Sequence, residues 1–236
     1  MVFLLLSSSL LGCAEEPVDD CTSGARQVWV MRSIEFARFE GDVAGGFDLD
    51  DDTGKVCGHA DWSSPWGGEG VDNNLARLIP ALEATEAVAV EAIVQQTINS
   101  GELLLMVGAD HVDDFEEDGC VEVDVLRGVG PVEVGTDDLL LPGQTLALDP
   151  DVEHFVTESS QLTGGVLSAR GFSLELPFQV FDVAIQFDMS LGQLRMEVDP
   201  DTLIATGYAG GGVSVEAILD VVNTENVDPE VKDLLN

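Results

Sequence analysis

The sequence predicts an α+β fold: a single domain in which an antiparallel, sandwich-like β meander packs on one long helix and a shorter second helix. Three observations carry that expectation. Apolar residues recur at three- and four-residue spacing between Leu75 and Ile98, the period of an amphipathic helix. From Glu102 onward the dominant period is two, the mark of strands with one wet face. Hydrophobic residues make up 45% of 236, enough for one sizeable core.

The chain starts MVFLLLSSSLLGC. The apolar run from Val2 to Leu11 is too short for a bilayer span of about 20 residues. It suits a secretory h-region of about 7–15 residues. Leu10-Leu11-Gly12-Cys13 resembles the lipobox of bacterial lipoproteins, which makes residues 1–12 the expected signal peptide and Cys13 the lipidated residue. The resemblance departs in one respect: no Lys or Arg directly follows Met1. A true start a few codons upstream would restore the positive n-region. Ala14, where Asp would mean retention, implies the outer membrane in the lipoproteins this resembles. Residues 13–25 are acidic, hold Pro and Gly and show no apolar periodicity, so they read as a tether. Residues 26–236 form the expected domain.

Within it, Gln27 to Phe39 alternates loosely and reads as a strand, continuing to Phe47 after a glycine interruption. An acidic stretch and then SSPWGGEGVDNN follow as loop, with Asp72 or Asn73 placed to cap a helix. Leu75, Leu78, Ile79 and Leu82, then Val90, Ile93, Val94 and Ile98, form its apolar face. Pro80 is expected to break off a short first piece, and Asn99-Ser100-Gly101 to stop the helix. Val121–Val125, Phe172–Leu176, Phe181–Leu191 and Leu194–Val198 alternate as strands. Asp149-Pro150-Asp151 and Asp199-Pro200-Asp201 mark two similar corners. After Gly210-Gly211-Gly212, Val213 to Val222 reads as the second helix. Asp228-Pro229-Glu230 opens a further one that stops at Asn236, so a longer C-terminus is expected.

The charge narrows the partners. The chain carries 45 acidic and 9 basic residues, a net of −36. That field repels phosphate backbones and anionic headgroups, so nucleic acid is excluded as a partner. It leaves a protein or a small molecule, with the lipid anchor as the sole membrane attachment. A salty habitat explains the same composition without any ligand.

Of the cysteines left after Cys13, Cys57 and Cys120 each sit at an acidic loop of the body and are expected to pair in an oxidising compartment. Cys21 is then odd, and a partner in a missing tail would account for it.

Two loops carry the carboxylate alternation through which oxygens converge on calcium. One is Asp48, Asp50 and Asp52 within GFDLDDDTGKVCGHADW, which holds five aspartates in seventeen residues. The other is Asp114, Glu116 and Asp118, followed by Gly119. Neither is an EF-hand, because the twelfth positions are His59 and Val125. Each reads as a calcium loop or as a solvated acidic turn. Cys57, His59 and Asp61, with His111 and Asp113, offer a transition-metal alternative. No nucleophile elbow exists and no histidine has a recognisable catalytic context, so no catalytic residue is assigned. Phe172, Phe178, Phe181, Phe187 and Met189 line either a solid core or a cavity for an apolar ligand.

GFDLD, CGHADW and GVDNNLARLIPAL, followed by ELLLMV and CVEVDV, resemble a set of exported bacterial lipoproteins with no known activity. In them Gly-Phe-Asp-Leu-Asp, Cys-Gly-x-Ala-Asp and Gly-Ile/Val-Asp-Asn segments recur in this order. The resemblance implies export, one domain and a longer C-terminus. The resemblance adds no activity, and the residues themselves point to a non-enzymatic function: a surface-anchored acidic lipoprotein that binds at, or is built around, a calcium-stabilised loop. Carriage of an apolar ligand between sheet and helix is the alternative, and a carboxylate-dependent extracellular hydrolase the weaker one.

Overall fold

The structure, a computed structural model, describes residues 21, 23–53, 61–84, 90–180 and 183–216. Twelve strands and two helices are named among them. In chain order the strands are β1 (Ala25–Val30), β2 (Phe39–Glu40), β3 (Val43–Ala44), β4 (Leu104–Val112), β5 (Glu117–Asp118) and β6 (Glu122–Val129). Then come β7 (Ala147–Leu148), β8 (Phe155–Val156), β9 (Ser159–Thr163), β10 (Val166–Val180), β11 (Val183–Val198) and β12 (Ala205–Val213). The helices α1 (Leu75–Ala84) and α2 (Val90–Asn99) lie between β3 and β4.

Sheet I has the order β1-β4-β6-β7, with β8 also on β6, and sheet II the order β12-β11-β10-β9-β5. Every pairing is antiparallel. Their facing sides share one buried cluster. Ala109 and Val112 of β4 and Val123 and Val125 of β6 meet Leu162, Leu167, Phe172, Leu174, Leu194, Met196 and Val198 of sheet II. The predicted alternation thus buries one side of β4, β6, β9 and the described parts of β10 and β11, as a sandwich requires. At the open side Trp29 of β1 donates its indole N–H to the Leu203 carbonyl at 3.0 Å, tying sheet I to the β11–β12 connection.

The α+β expectation is corrected here. The described chain is mostly β, and no long helix covers a sheet. Alternation shows that one face of each strand is buried but not what covers it; the cover is the second sheet. The helices have ten residues each. Pro80 lies inside α1 and does not open a new helix. The second helix contributes Val94 and Ile98 to a smaller cluster with Leu103, Leu104 and Leu140. It stops where expected: Gly101 takes φ +79°, and its N–H reaches the Ile98 carbonyl at 3.0 Å.

Val213 ends a strand, which corrects the start of the second helix predicted over Val213–Val222; Ala217 to Val222 lie outside the described residues. The glycines before it serve close packing within the strand and do not break it. A β-carbon on Gly210 would stand 3.1 Å from the Phe47 ring, and one on Gly211 2.6 Å from Met189 Cγ. The β9–β10 hairpin pairs Thr163 with Val166 around Gly164 and Gly165, both at positive φ, as a primed two-residue turn demands. The two Asp-Pro-Asp corners repeat one device. Asp149 Oδ1 accepts the Asp151 N–H at 3.0 Å, and Asp199 Oδ1 accepts the Asp201 N–H at 2.9 Å. The Thr202 and Asp201 amides bonded to Asp199 hold its carboxyl below the ordinary range.

Cys21 is bonded to Cys120, with Cα atoms 5.0 Å apart. This corrects the expected Cys57–Cys120 pair. Ser23 Oγ bonds the Asp113 carboxylate at 3.0 Å, and β1 pairs with β4, so the chain leaving Cys21 runs beside the loop that carries Cys120. Cys57 lies outside the described residues, as do Cys13, residues 1–12 and the Asp228–Glu230 turn.

Candidate metal centre

Three short backbone segments are laid side by side next to sheet II. The Ala44 N–H bonds the Ser63 carbonyl at 3.0 Å. Trp62 and Val71 exchange both backbone hydrogen bonds, at 3.1 and 2.9 Å. The Asp72 N–H bonds the Phe47 carbonyl at 2.9 Å. The antiparallel Trp62–Val71 bridge sets Asp61 against Asp72, and the Phe47–Asp72 bond brings Asp48 beside them. Beneath lies a small core of Ala44, Trp62, Val71 and Ala76, with Phe39 stacked on Trp62 at 4.8 Å and the Arg77 guanidinium 4.2 Å from its ring centroid. Gln193 Nε2 of β11 donates to the Asp48 carbonyl at 2.9 Å and anchors the segment to sheet II.

Carboxylate oxygens of Asp48, Asp50 and Asp72 lie within 4.8 Å of one another. Oxygens each about 2.3–2.6 Å from a calcium ion would span that distance. Asp48 Oδ1 and Asp61 Oδ2 are buried without a hydrogen-bond partner. Asp72 Oδ2 accepts the Leu49 N–H at 2.8 Å, and Asp50 Oδ1 accepts the Asp52 N–H at 2.9 Å. Gly70, at φ +84°, forms a wall of the cradle: a β-carbon there would stand 2.8 Å from Asp48 Oδ2 and 2.9 Å from the Asp52 carbonyl oxygen. Burial pushes the Asp61 carboxyl above the ordinary aspartate range, and the charges of Asp72, Asp50, Asp52 and Asp48 push it the same way. Among the described residues, no ion pair reaches Asp48, Asp50, Asp61 or Asp72.

The first predicted loop is thus partly reassembled. Asp48 and Asp50 converge as expected, but the third carboxylate is Asp72, from twenty residues further along, while the Asp52 backbone carbonyl lies close to Gly70. Of the two cap candidates, Asn73 takes the role, accepting the Ala76 N–H at 3.0 Å, and leaves Asp72 for the cluster.

The second predicted loop is spent on its own backbone. Asp118, 3% exposed, accepts the Asp113 N–H at 3.0 Å and the Cys120 N–H at 2.9 Å, one on each oxygen. Asp114 Oδ1 accepts the Glu116 N–H at 2.8 Å. Asp114, Glu116 and Asp118 form no metal-sized group among the described residues. Of the transition-metal alternative, Cys57 and His59 lie outside the described residues. Asp61 joins the acidic cluster, and His111 lines a polar groove of about 400 Å³ beside the Cys21–Cys120 bond. Of the apolar-ligand set, Phe172 is buried in the core between the sheets and Met189 packs against it. Phe181 and the side chains of Phe178 and Phe187 lie outside what is described.

No family, curated protein or solved structure matches this chain.

Proposed function

We propose that this is an exported, lipid-anchored acidic protein whose 46–72 face is organised by a bound calcium ion, and that its role is binding or structural. The carrying observation is the pair of buried, unbonded oxygens, Asp48 Oδ1 and Asp61 Oδ2, within an acidic cluster that forms no ion pair among the described residues. Carboxylate oxygens shut away from water without a partner are unfavourable, and a hard cation is what such oxygens match. Asp48, Asp50 and Asp72 would supply carboxylates and Asp52 a carbonyl, with Asp61 as the fourth acid. The mixture of carboxylates and a carbonyl from irregular backbone suits the adaptable coordination of calcium better than the strict octahedron of magnesium. The export half of the reading rests on the leader and lipobox at Cys13, and the Cys21–Cys120 bond fits an oxidising compartment.

The test is thermal melting of the protein during a calcium titration, with magnesium at equal ionic strength as control. A saturable, calcium-selective rise in Tm that disappears in Asp72→Asn supports the site. An equal rise with magnesium or with sodium chloride reduces it to screening of a chain with net charge −36.

A further inference from the structure

The three tryptophans differ in what their indole N–H does. Trp29 donates to Leu203 at 3.0 Å, and Trp62 donates to the Asn73 carbonyl at 3.3 Å. Trp66 stands on the Pro65-Trp66 turn, 36% exposed, and its N–H has no hydrogen-bond partner among the described residues. Tyr208 of β12, 37% exposed, lies 5.0 Å away between ring centroids, and its hydroxyl is likewise unspent among the described residues. Phe47 adds a third ring at 5.9 Å from Trp66. The Arg195 guanidinium sits 5.0 Å from the Trp66 centroid and bonds Glu197 at 2.9 Å. Gly45 and Gly210 leave room for this group: a β-carbon on Gly45 would overlap the Tyr208 ring, and one on Gly210 would crowd Phe47. Tyr208 and Arg195 are register partners, so both stand on the face of sheet II away from the core that holds Leu194 and Met196.

We propose that this Trp66–Tyr208 pad binds a neutral saccharide. A pyranose presents a face of C–H bonds that stacks on an aromatic ring, and a rim of hydroxyls that needs donors and acceptors. The pad offers both, with exposed rings beside the Trp66 N–H, the Tyr208 O–H and the Arg195–Glu197 pair. Other occupants fit less well. The net charge of −36 repels anionic glycans and lipids. The Trp66 ring already carries Arg195, so a second cation at that face meets a like charge. A lipid tail would bury the unspent donors and the ion pair without replacing their water. A stable protein interface wants about 800 Å² per partner, more than two rings at about one-third exposure supply. The pad shares the 46–72 segment with the cation cluster through Phe47 and Trp66, but none of its side chains is a proposed cation ligand.

The probes are immobilised neutral oligosaccharides, namely hexamers of β-1,4-glucose, α-1,4-glucose and N-acetylglucosamine, beside sulfated and amine-bearing glycans. The full chain is applied in calcium-containing and in chelated buffer. Retention on at least one neutral glycan is expected, with affinity falling at least about tenfold in Trp66→Ala. Trp66→Phe, which keeps a ring, should fall less, and equal melting temperatures rule out unfolding as the cause. Val28→Ala, on sheet I and 51% exposed, should bind as the parent does. The proposal is overturned if no neutral glycan is retained, if only charged glycans are, or if Trp66→Ala binds undiminished. Retention that persists in chelator while the calcium-induced rise in Tm is absent would sink the cation reading and leave the saccharide site standing.

Discussion

Gly70 lies so close to Asp48 that a β-carbon on it would stand 2.8 Å from the Asp48 carboxylate, and no side chain fits between them. Gly67, three residues earlier, has a similar backbone at φ +93° but nothing within 4 Å of its missing β-carbon. The pair separates backbone strain from loss of the cradle. Gly67→Ala and Gly70→Ala should each lose about 1–2 kcal/mol of stability from the left-handed conformation. Only Gly70→Ala should also lose the calcium-induced rise in Tm. Equal calcium responses in the two variants would show that the cradle holds no ion.

Asp61 makes the cation-free protein pH-sensitive in a definite direction. Its folded-state pKa is raised above the ordinary 3.8, so the folded chain binds the proton more tightly than the unfolded chain. Stability therefore falls as pH rises from that value through the raised pKa. Asp61→Asn removes the contribution. In chelator, the Tm difference between Asp61→Asn and the parent should grow in favour of the variant between pH 4 and neutrality. Saturating calcium should shrink it, because a nearby cation restores the preference for the carboxylate. A difference that does not change with pH would mean that the fold does not raise the Asp61 pKa.

How much of this was legible in the sequence depends on which interactions are local. The period of two placed Phe172, Leu174, Leu194, Met196 and Val198 on buried faces, and all five are in the core. A period of two does not say which surface covers them, and the cover is a second sheet where the pattern predicts a helix. Asp48 and Asp50 announced themselves by spacing. Asp72 did not, because Asp and Asn cap helices about equally well and nothing local assigns the cap to Asn73. Asp61 meets Asp72 only through the Trp62–Val71 bridge, a pairing that local pattern does not reveal. The Asp114–Asp118 loop shows the opposite failure. Its spacing resembles the first, yet turn amides compete for its carboxylates and win.

The bond from Cys21 to Cys120 spans 99 residues, and a cross-link over about 100 residues removes roughly 4–5 kcal/mol of unfolded-state entropy. Replacing both residues with serine should therefore destabilise the body by about 2–5 kcal/mol. Peptide mapping of the unreduced protein should recover Cys21 and Cys120 in one linked fragment. A fragment linking Cys57 to Cys120 would restore the pairing expected from the sequence and overturn the one described.

Glu91 should respond to acid in the sense opposite to Asp61. Its carboxylate receives the Arg38 guanidinium at 2.9 Å and the Phe36 N–H at 2.8 Å, and so fixes the segment after β1 against α2. The Arg38 hydrogen bond first, and the Phe36 amide after it, hold the carboxyl below its ordinary 4.5. A lowered pKa means the unfolded chain binds the proton more tightly, so this contribution is present above 4.5 and fades as pH falls toward the folded value. Glu91→Gln should lower Tm near neutrality and converge on the parent in acid. The partners are partly exposed, so salt should weaken the effect, leaving at most about 1 kcal/mol. A Tm deficit that persists unchanged below pH 3 would assign the loss to packing of the side chain and not to its charge.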